Sequence, residues 1–222
     1  MQEREKVWND FWAEDFTPWV REDSDQFLRE HFEQIRAHLP VDLARCRAFV
    51  PLCGNSQATR ILFDLGMIVT GVELIPKAIR SLRNLFFSDT SPTLGDSESF
   101  EAPRIRVIQA DIFQFEDETG FDFIYDRAAL VALNPKDQQT PYSKKIISLL
   151  KPGGLLFVEG FSSSQHTLGG PPYETPITLT RKYYQDLREV ECFEQKLSTE
   201  NPRFVEHGIT ELNQYQLLFK GG

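Results

Sequence analysis

One pattern limits the fold more than any other. Short, unbroken apolar runs alternate with turns and with stretches whose apolar residues recur at helical spacing. Ala48-Phe49-Val50-Pro51-Leu52 reads as a buried strand and Cys53-Gly54-Asn55-Ser56 as a turn; Gln57 to Leu65 reads as a helix that stops at Gly66. Met67 to Glu73 repeats the strand, and Pro76 to Phe87 repeats the helix, with proline in its first turn. Strand character returns at Ile105 to Gln109, Phe121 to Tyr125 and Leu155 to Glu159. Apolar runs without an exposed alternate face belong to a sheet covered on both sides, and their alternation with helices argues for parallel strands. The expected class is α/β, a single doubly wound, mostly parallel sheet with helices on both faces.

Further helices are predicted over Ser24 to Leu39, Tyr142 to Leu150 and Thr178 to Val190. Lys151-Pro152-Gly153-Gly154 reads as a turn; Ser88 to Pro103 and Ser162 to Pro176 read as long loops. Glu191 to Lys196 and Gln214 to Phe219, with no helix read between them, predict an antiparallel pair at one edge. Residues 1–222 are read as one domain.

Totals exclude several classes. A net charge of −9 disfavours nucleic acid and anionic membranes. No apolar run approaches the ~20 residues that span a bilayer, and the charged start does not suit a signal peptide. Cys46, Cys53 and Cys192 show neither a disulfide framework nor a zinc spacing, so a cytoplasmic protein without a metal is expected, and its acidic single-domain character suits a monomer. All three tryptophans fall within the first nineteen residues. That concentration predicts a job for residues 1–23, either as a cap on the core or as a wall of the site.

In an open parallel sheet the ligand sits beyond the carboxyl ends of the strands. The first such turn holds a single glycine, Gly54, and precedes a helix whose free N–H groups suit a carboxylate. It lacks G-x-G-x-x-G, which argues against a nicotinamide oxidoreductase. Glu73 ends the second strand, 73 − 54 = 19 positions after that glycine, where an acid commonly takes ribose hydroxyls. Asp111, ending the third strand, reads equally as an acceptor for an adenine amine, with Ile112 beside the ring, or as an Asx-turn. At the fourth strand's end, Asp126-Arg127 places a guanidinium where a substrate enters; the bland alternative is a local ion pair. Cys53 reads as packing, and neither His166 nor His207 is singled out as a base. A cofactor-binding protein without catalysis also stays open.

Together these segments resemble the thiopurine S-methyltransferase family of class I methyltransferases. The resemblance rests on Val50-Pro51-Leu52-Cys53-Gly54, Gly71-Val72-Glu73-Leu74, Asp126 to Leu133, Gly170-Pro171-Pro172-Tyr173 and the pair Trp8 and Trp12. It implies a seven-stranded sheet and S-adenosyl-L-methionine as cofactor, in contact with Trp12, Leu52, Glu73 and Arg127, to which the strand-end reading adds Gly54, Asp111 and Ile112. It also implies a small thiol, or a similar soft nucleophile, as acceptor. Trp8, Trp19, Pro171 and Tyr173 would shape the acceptor pocket, and Arg127 would serve catalysis. Two positions depart from the family: Asn55 replaces its lysine, and Thr17-Pro18-Trp19 resembles the thiol and halide methyltransferases instead.

Overall fold

The computed structural model describes residues 2–17, 25–87, 99–163, 169–200 and 202–222. The chain divides into two compact units, Met1–Asp122 and Phe123–Gly222.

The first unit opens with α1 (Gln2–Ala13) and α2 (Gln26–Ala37). Leu28, Phe32 and Ile35, spaced to share one face, are the buried residues of α2. Then come β1 (Arg47–Pro51), α3 (Gln57–Asp64), β2 (Ile68–Glu73), α4 (Pro76–Arg83), β3 (Phe100–Ala102) and β4 (Ile105–Gln109). Ser56 caps α3, its hydroxyl accepting the Ala58 amide hydrogen at 3.1 Å. The strand order is β3-β4-β2-β1. β1 and β2 run parallel with Pro51 opposite Val72, and β2 and β4 run parallel with Glu73 opposite Gln109. The carboxyl ends of all three therefore finish in step, along one edge.

Two expectations fail here. α4 stops at Arg83 rather than Phe87, because the next aromatics leave the helix axis to pack elsewhere: Phe86 sits edge-on to Phe63, and Phe87 edge-on to Phe100. Phe100 begins β3, a three-residue strand antiparallel to β4 within the segment read as loop.

The second unit takes up β5 (Phe121–Asp126) and continues with α5 (Gln139–Leu149), β6 (Leu150–Ser163), α6 (Ile177–Tyr183), β7 (Arg188–Leu197), α7 (Pro202–Glu206) and β8 (Leu212–Lys220). Its order is β5-β6-β8-β7, with β8 antiparallel to both neighbours. The expected helix to Val190 ends at Tyr183. Arg181 forms two 2.9 Å contacts with Glu189, a pair eight residues apart that only a chain reversal brings together. The turn read at Lys151–Gly154 lies inside β6, with Gly153 at φ +72°. The closing strands are antiparallel as expected, but α7 lies between them, and its Phe204 packs on Ile209 and Leu212. The described residues form eight strands where seven were expected; β3 is the small addition. The α/β class and the antiparallel carboxyl-terminal strands stand as read.

Candidate active site

The first unit builds a cradle where β1 and β2 end. After Pro51 the chain turns with Leu52 at φ +45° and Gly54 at φ +51°, left-handed backbone that costs little only at glycine. The Cys53 amide donates to the Val72 carbonyl at 3.0 Å, pinning the turn to β2. Glu73 then closes it. Its Oε2 accepts the Gly54 amide hydrogen at 2.8 Å, while Oε1 accepts those of Leu74 at 2.7 Å and Ile75 at 2.9 Å. Burial pushes the Glu73 carboxyl above its ordinary range, and these three N–H donors oppose that shift.

Helix α1 supplies the cradle's cover. Arg4, Trp8 and Trp12 follow at four-residue spacing, so they share one helix face. Trp12 is buried with Ile75 and Ala78, and Trp8 and Leu74 pack against that cluster. A Cβ added at Gly54 would lie 3.4 Å from the Trp12 ring, in ordinary contact with it, so the backbone at φ +51° is what calls for glycine here. Lys77 of α4 bonds Asp15 at 2.6 Å just beyond the helix. Cys53 is buried, and burial together with the Glu73 charge raises its thiol well above the ordinary value; it is a packing group.

Asp111 makes the Asx-turn. Its Oδ1 accepts the Phe113 amide hydrogen at 3.1 Å, an Asx-turn, and its Oδ2 pairs with Arg4 at 2.5 Å. The Arg4 guanidinium also lies over the Phe113 ring, 4.7 Å from its centre. Ile112 beside it is buried. Sequence reasoning missed Arg4, although its four-residue spacing to Trp8 was the available signal.

The second unit holds the other cluster. β5 ends in Asp126, fully buried, whose Oδ1 accepts the Leu130 amide hydrogen at 3.0 Å and whose Oδ2 accepts the Tyr142 hydroxyl at 2.8 Å. Burial pushes its carboxyl up to about 7, against the pull of those donors and with a further push from Glu159. Between the two anchors lies Ala128 at φ +63°, so Asp126 holds a strained turn that presents Arg127. Arg127 Nε stands 3.5 Å from Glu159 Oε1 on β6, both side chains being largely buried. The late loop joins this turn. The Tyr173 amide donates to the Val131 carbonyl at 2.6 Å, and Gln139 Nε2 donates to the Leu130 and Leu133 carbonyls and to Thr175 Oγ1. Pro171 and Tyr173 are thus brought to the Arg127 turn, more than forty residues upstream. Trp19 and His166 lie outside the described residues, and His207 is exposed beyond α7.

Comparison with solved structures shows the same fold in methyltransferases. Magnesium protoporphyrin IX methyltransferase from Synechocystis PCC 6803, with bound S-adenosylhomocysteine, aligns at TM-score 0.69 and 12% identity, covering 99% of this chain and all of that one. N-methyltransferase NodS from Bradyrhizobium japonicum WM9, in complex with S-adenosyl-L-homocysteine, aligns at 0.62 and 18% identity, covering 91% and 93%. The α/β sheet, with a glycine turn after β1 and an acid closing β2, thus has the fold of the class I methyltransferases.

Sequence comparison narrows the class. Thiopurine S-methyltransferase of Shewanella baltica (strain OS155) is 30% identical over 224 residues, covering 96% of this chain and 97% of the relative. That of Legionella pneumophila (strain Paris) is 28% identical with both chains fully covered. The family model for thiopurine S-methyltransferase matches residues 3–221, and the chain belongs to that family.

Proposed function

We propose that this enzyme transfers the methyl group to the sulfur of a small-molecule thiol, or to a similarly soft atom, with residues 1–222 acting as one catalytic domain. The observation that carries the reading is the Glu73 carboxylate, held at the edge where β1 and β2 end by the amides of Gly54, Leu74 and Ile75. The residues present fit the cofactor. A carboxylate has about four acceptor positions, so three amides leave one for a ribose hydroxyl. Asn55 Oδ1, buried in the same turn, has no hydrogen-bond partner among the described residues, which suits an ammonium donor. S-adenosylmethionine supplies, when bound, a methyl group on a sulfonium.

In this reading Leu52, Gly54 and Glu73 grip the adenosyl and methionine portions, with Asp111 and Ile112 beside the base. Trp12 excludes water, and its ring face attracts the sulfonium cation. Arg127 orients the acceptor and favours its thiolate by charge. Trp8, Pro171 and Tyr173 are assigned to the acceptor. A thiolate is already a strong nucleophile, so positioning carries most of the acceleration; effective molarities on the order of 10⁵ M are available from it alone. No helix among the described residues is long and apolar enough to cross a membrane. We read the enzyme as a cytoplasmic monomer without a nucleic-acid partner, in line with its charge of −9.

The test is a panel of thiol, sulfide, selenide and halide acceptors assayed for S-adenosylhomocysteine release. Turnover confined to nitrogen or oxygen acceptors would remove the sulfur reading.

A further inference from the structure

We propose that Glu159 is a specificity-determining residue that sets the charge the acceptor meets at Arg127. The inference rests on the reading that Arg127 faces the acceptor.

Glu159 stands in β6, where Gln216 of β8 is its register partner, and Gln216 Nε2 donates to its Oε2 at 3.3 Å. That bond fixes one carboxylate oxygen and leaves Oε1 toward Arg127 Nε, 3.5 Å away. The two side chains keep only 15% and 13% of their surface exposed, so solvent screens the pair weakly. The same carboxylate acts on Asp126 at the turn's other side, adding to the upward push on its carboxyl. Tyr142, Tyr184 and Tyr215 also surround Asp126, and none of them supplies a positive charge. Glu159 offsets the Arg127 charge, and Asp126, when ionised, adds a further negative charge. Arg127 therefore draws an acceptor's added anionic group less than it would alone. An acceptor without that group keeps the orienting N–H donors of Arg127 and loses no attraction.

The test uses 4-mercaptobenzoate and its neutral amide, 4-mercaptobenzamide, bound to the full-length enzyme with S-adenosylhomocysteine and followed by calorimetry, with KM measured alongside. In Glu159→Gln the benzoate tightens about tenfold relative to the benzamide, the effect of one charge about 10 Å away at an effective dielectric of about 20. Both acceptors share the thiol, ionised or not, so the ratio of the two reports the added carboxylate alone. Glu159→Asp keeps the charge and restores the wild-type ratio. Equal changes for both thiols, or no change for either, overturn the proposal, because a structural role moves both together. Wild-type enzyme that binds S-adenosylhomocysteine but neither thiol removes the sulfur reading, and this proposal with it. If Arg127→Ala leaves both thiols unaffected while Glu159→Gln still shifts their ratio, Glu159 acts without Arg127, and the mechanism proposed here is overturned.

Discussion

Glu73 Oε2 accepts the amide hydrogen of Gly54 across nineteen residues of chain, at 2.8 Å, while the carboxylate itself is buried. The turn after β1 and the end of β2 are thereby one piece. A ligand that touches either touches a backbone already in place, so little ordering is left for binding to offset.

Glu73→Gln tests that coupling. The glutamine amide keeps one acceptor oxygen and turns a donor toward an N–H that now has no partner. A loss of about 1–3 kcal/mol in stability follows from leaving such a group unsatisfied. S-adenosylhomocysteine affinity falls at least tenfold. Urea denaturation and calorimetry measure the two effects, and unchanged affinity would exclude Glu73 from the cofactor site.

Gly54→Ala acts on the same turn by another route. At φ +51° an added Cβ strains the backbone, and it also reaches 3.4 Å from the Trp12 ring. Strain of this kind costs about 1–2 kcal/mol. The added methyl meets the Trp12 ring at ordinary contact distance, so the strained backbone is what lowers S-adenosylhomocysteine affinity and stability. A variant with wild-type stability in urea and wild-type cofactor affinity by calorimetry would show that glycine is not required there.

The strands of the cradle were readable because they are buried on both faces. β1 and β2 are short buried runs, β4 alternates buried Ile105 and Val107 with half-buried neighbours, and their ends marked Gly54, Glu73 and Asp111. What escaped was set by distant partners. β3 exists because Phe100 finds Phe86 and Phe87, which no local pattern announces. α6 ends early because Arg181 finds Glu189, and Tyr184 packs in the core against Phe219. Arg127 was legible as a charge at a strand end, but its partner Glu159 lies on another strand and resembled the close of an ordinary apolar run. Asp126 entered the reading only as half of a local pair in the bland alternative; its hydrogen bonds to Leu130 and Tyr142 give it a structural post.

That post makes stability depend on pH. The Asp126 carboxyl rises from 3.8 to about 7 in the folded chain because burial disfavours its charge. The folded state therefore holds a proton that the unfolded state has released, between pH 4 and about 7. Its contribution is complete below pH 4 and is lost as pH rises through about 7. In Asp126→Asn, Oδ1 still accepts from Leu130, and the amide can donate to the Tyr142 oxygen. Wild-type stability relative to this variant should decline across that window, as measured by urea denaturation at several pH values. A constant difference would mean that Asp126 does not titrate there.

Arg127→Ala separates acceptor from cofactor. We expect kcat/KM for an aromatic thiol to fall roughly 100-fold, in the range that loss of a positioned charged hydrogen bond produces. Affinity for S-adenosylhomocysteine should fall by much less. Equal losses would place Arg127 on the cofactor. Arg127→Lys should recover only part of the activity, since an ammonium cannot make the planar two-pronged contact.

Gly170→Ala addresses the late loop, and its neighbour provides the control. A Cβ at Gly170 would lie 2.4 Å from Tyr173 Cγ and 2.5 Å from its Cδ1, so the ring must move. The Tyr173 amide is held to the Val131 carbonyl, three residues after Ala128, so a moved ring also loads the turn that carries Arg127. A Cβ at Gly169 meets nothing within 4 Å. Gly170→Ala should therefore lower kcat/KM for thiols by about 10- to 100-fold, the sensitivity expected of misplaced reactants, while S-adenosylhomocysteine affinity holds. Gly169→Ala should stay near wild type in both, with stability within about 0.5 kcal/mol. Steady-state kinetics and calorimetry on the pair decide the matter. If both variants behave alike, the Tyr173 ring has no part in holding the acceptor.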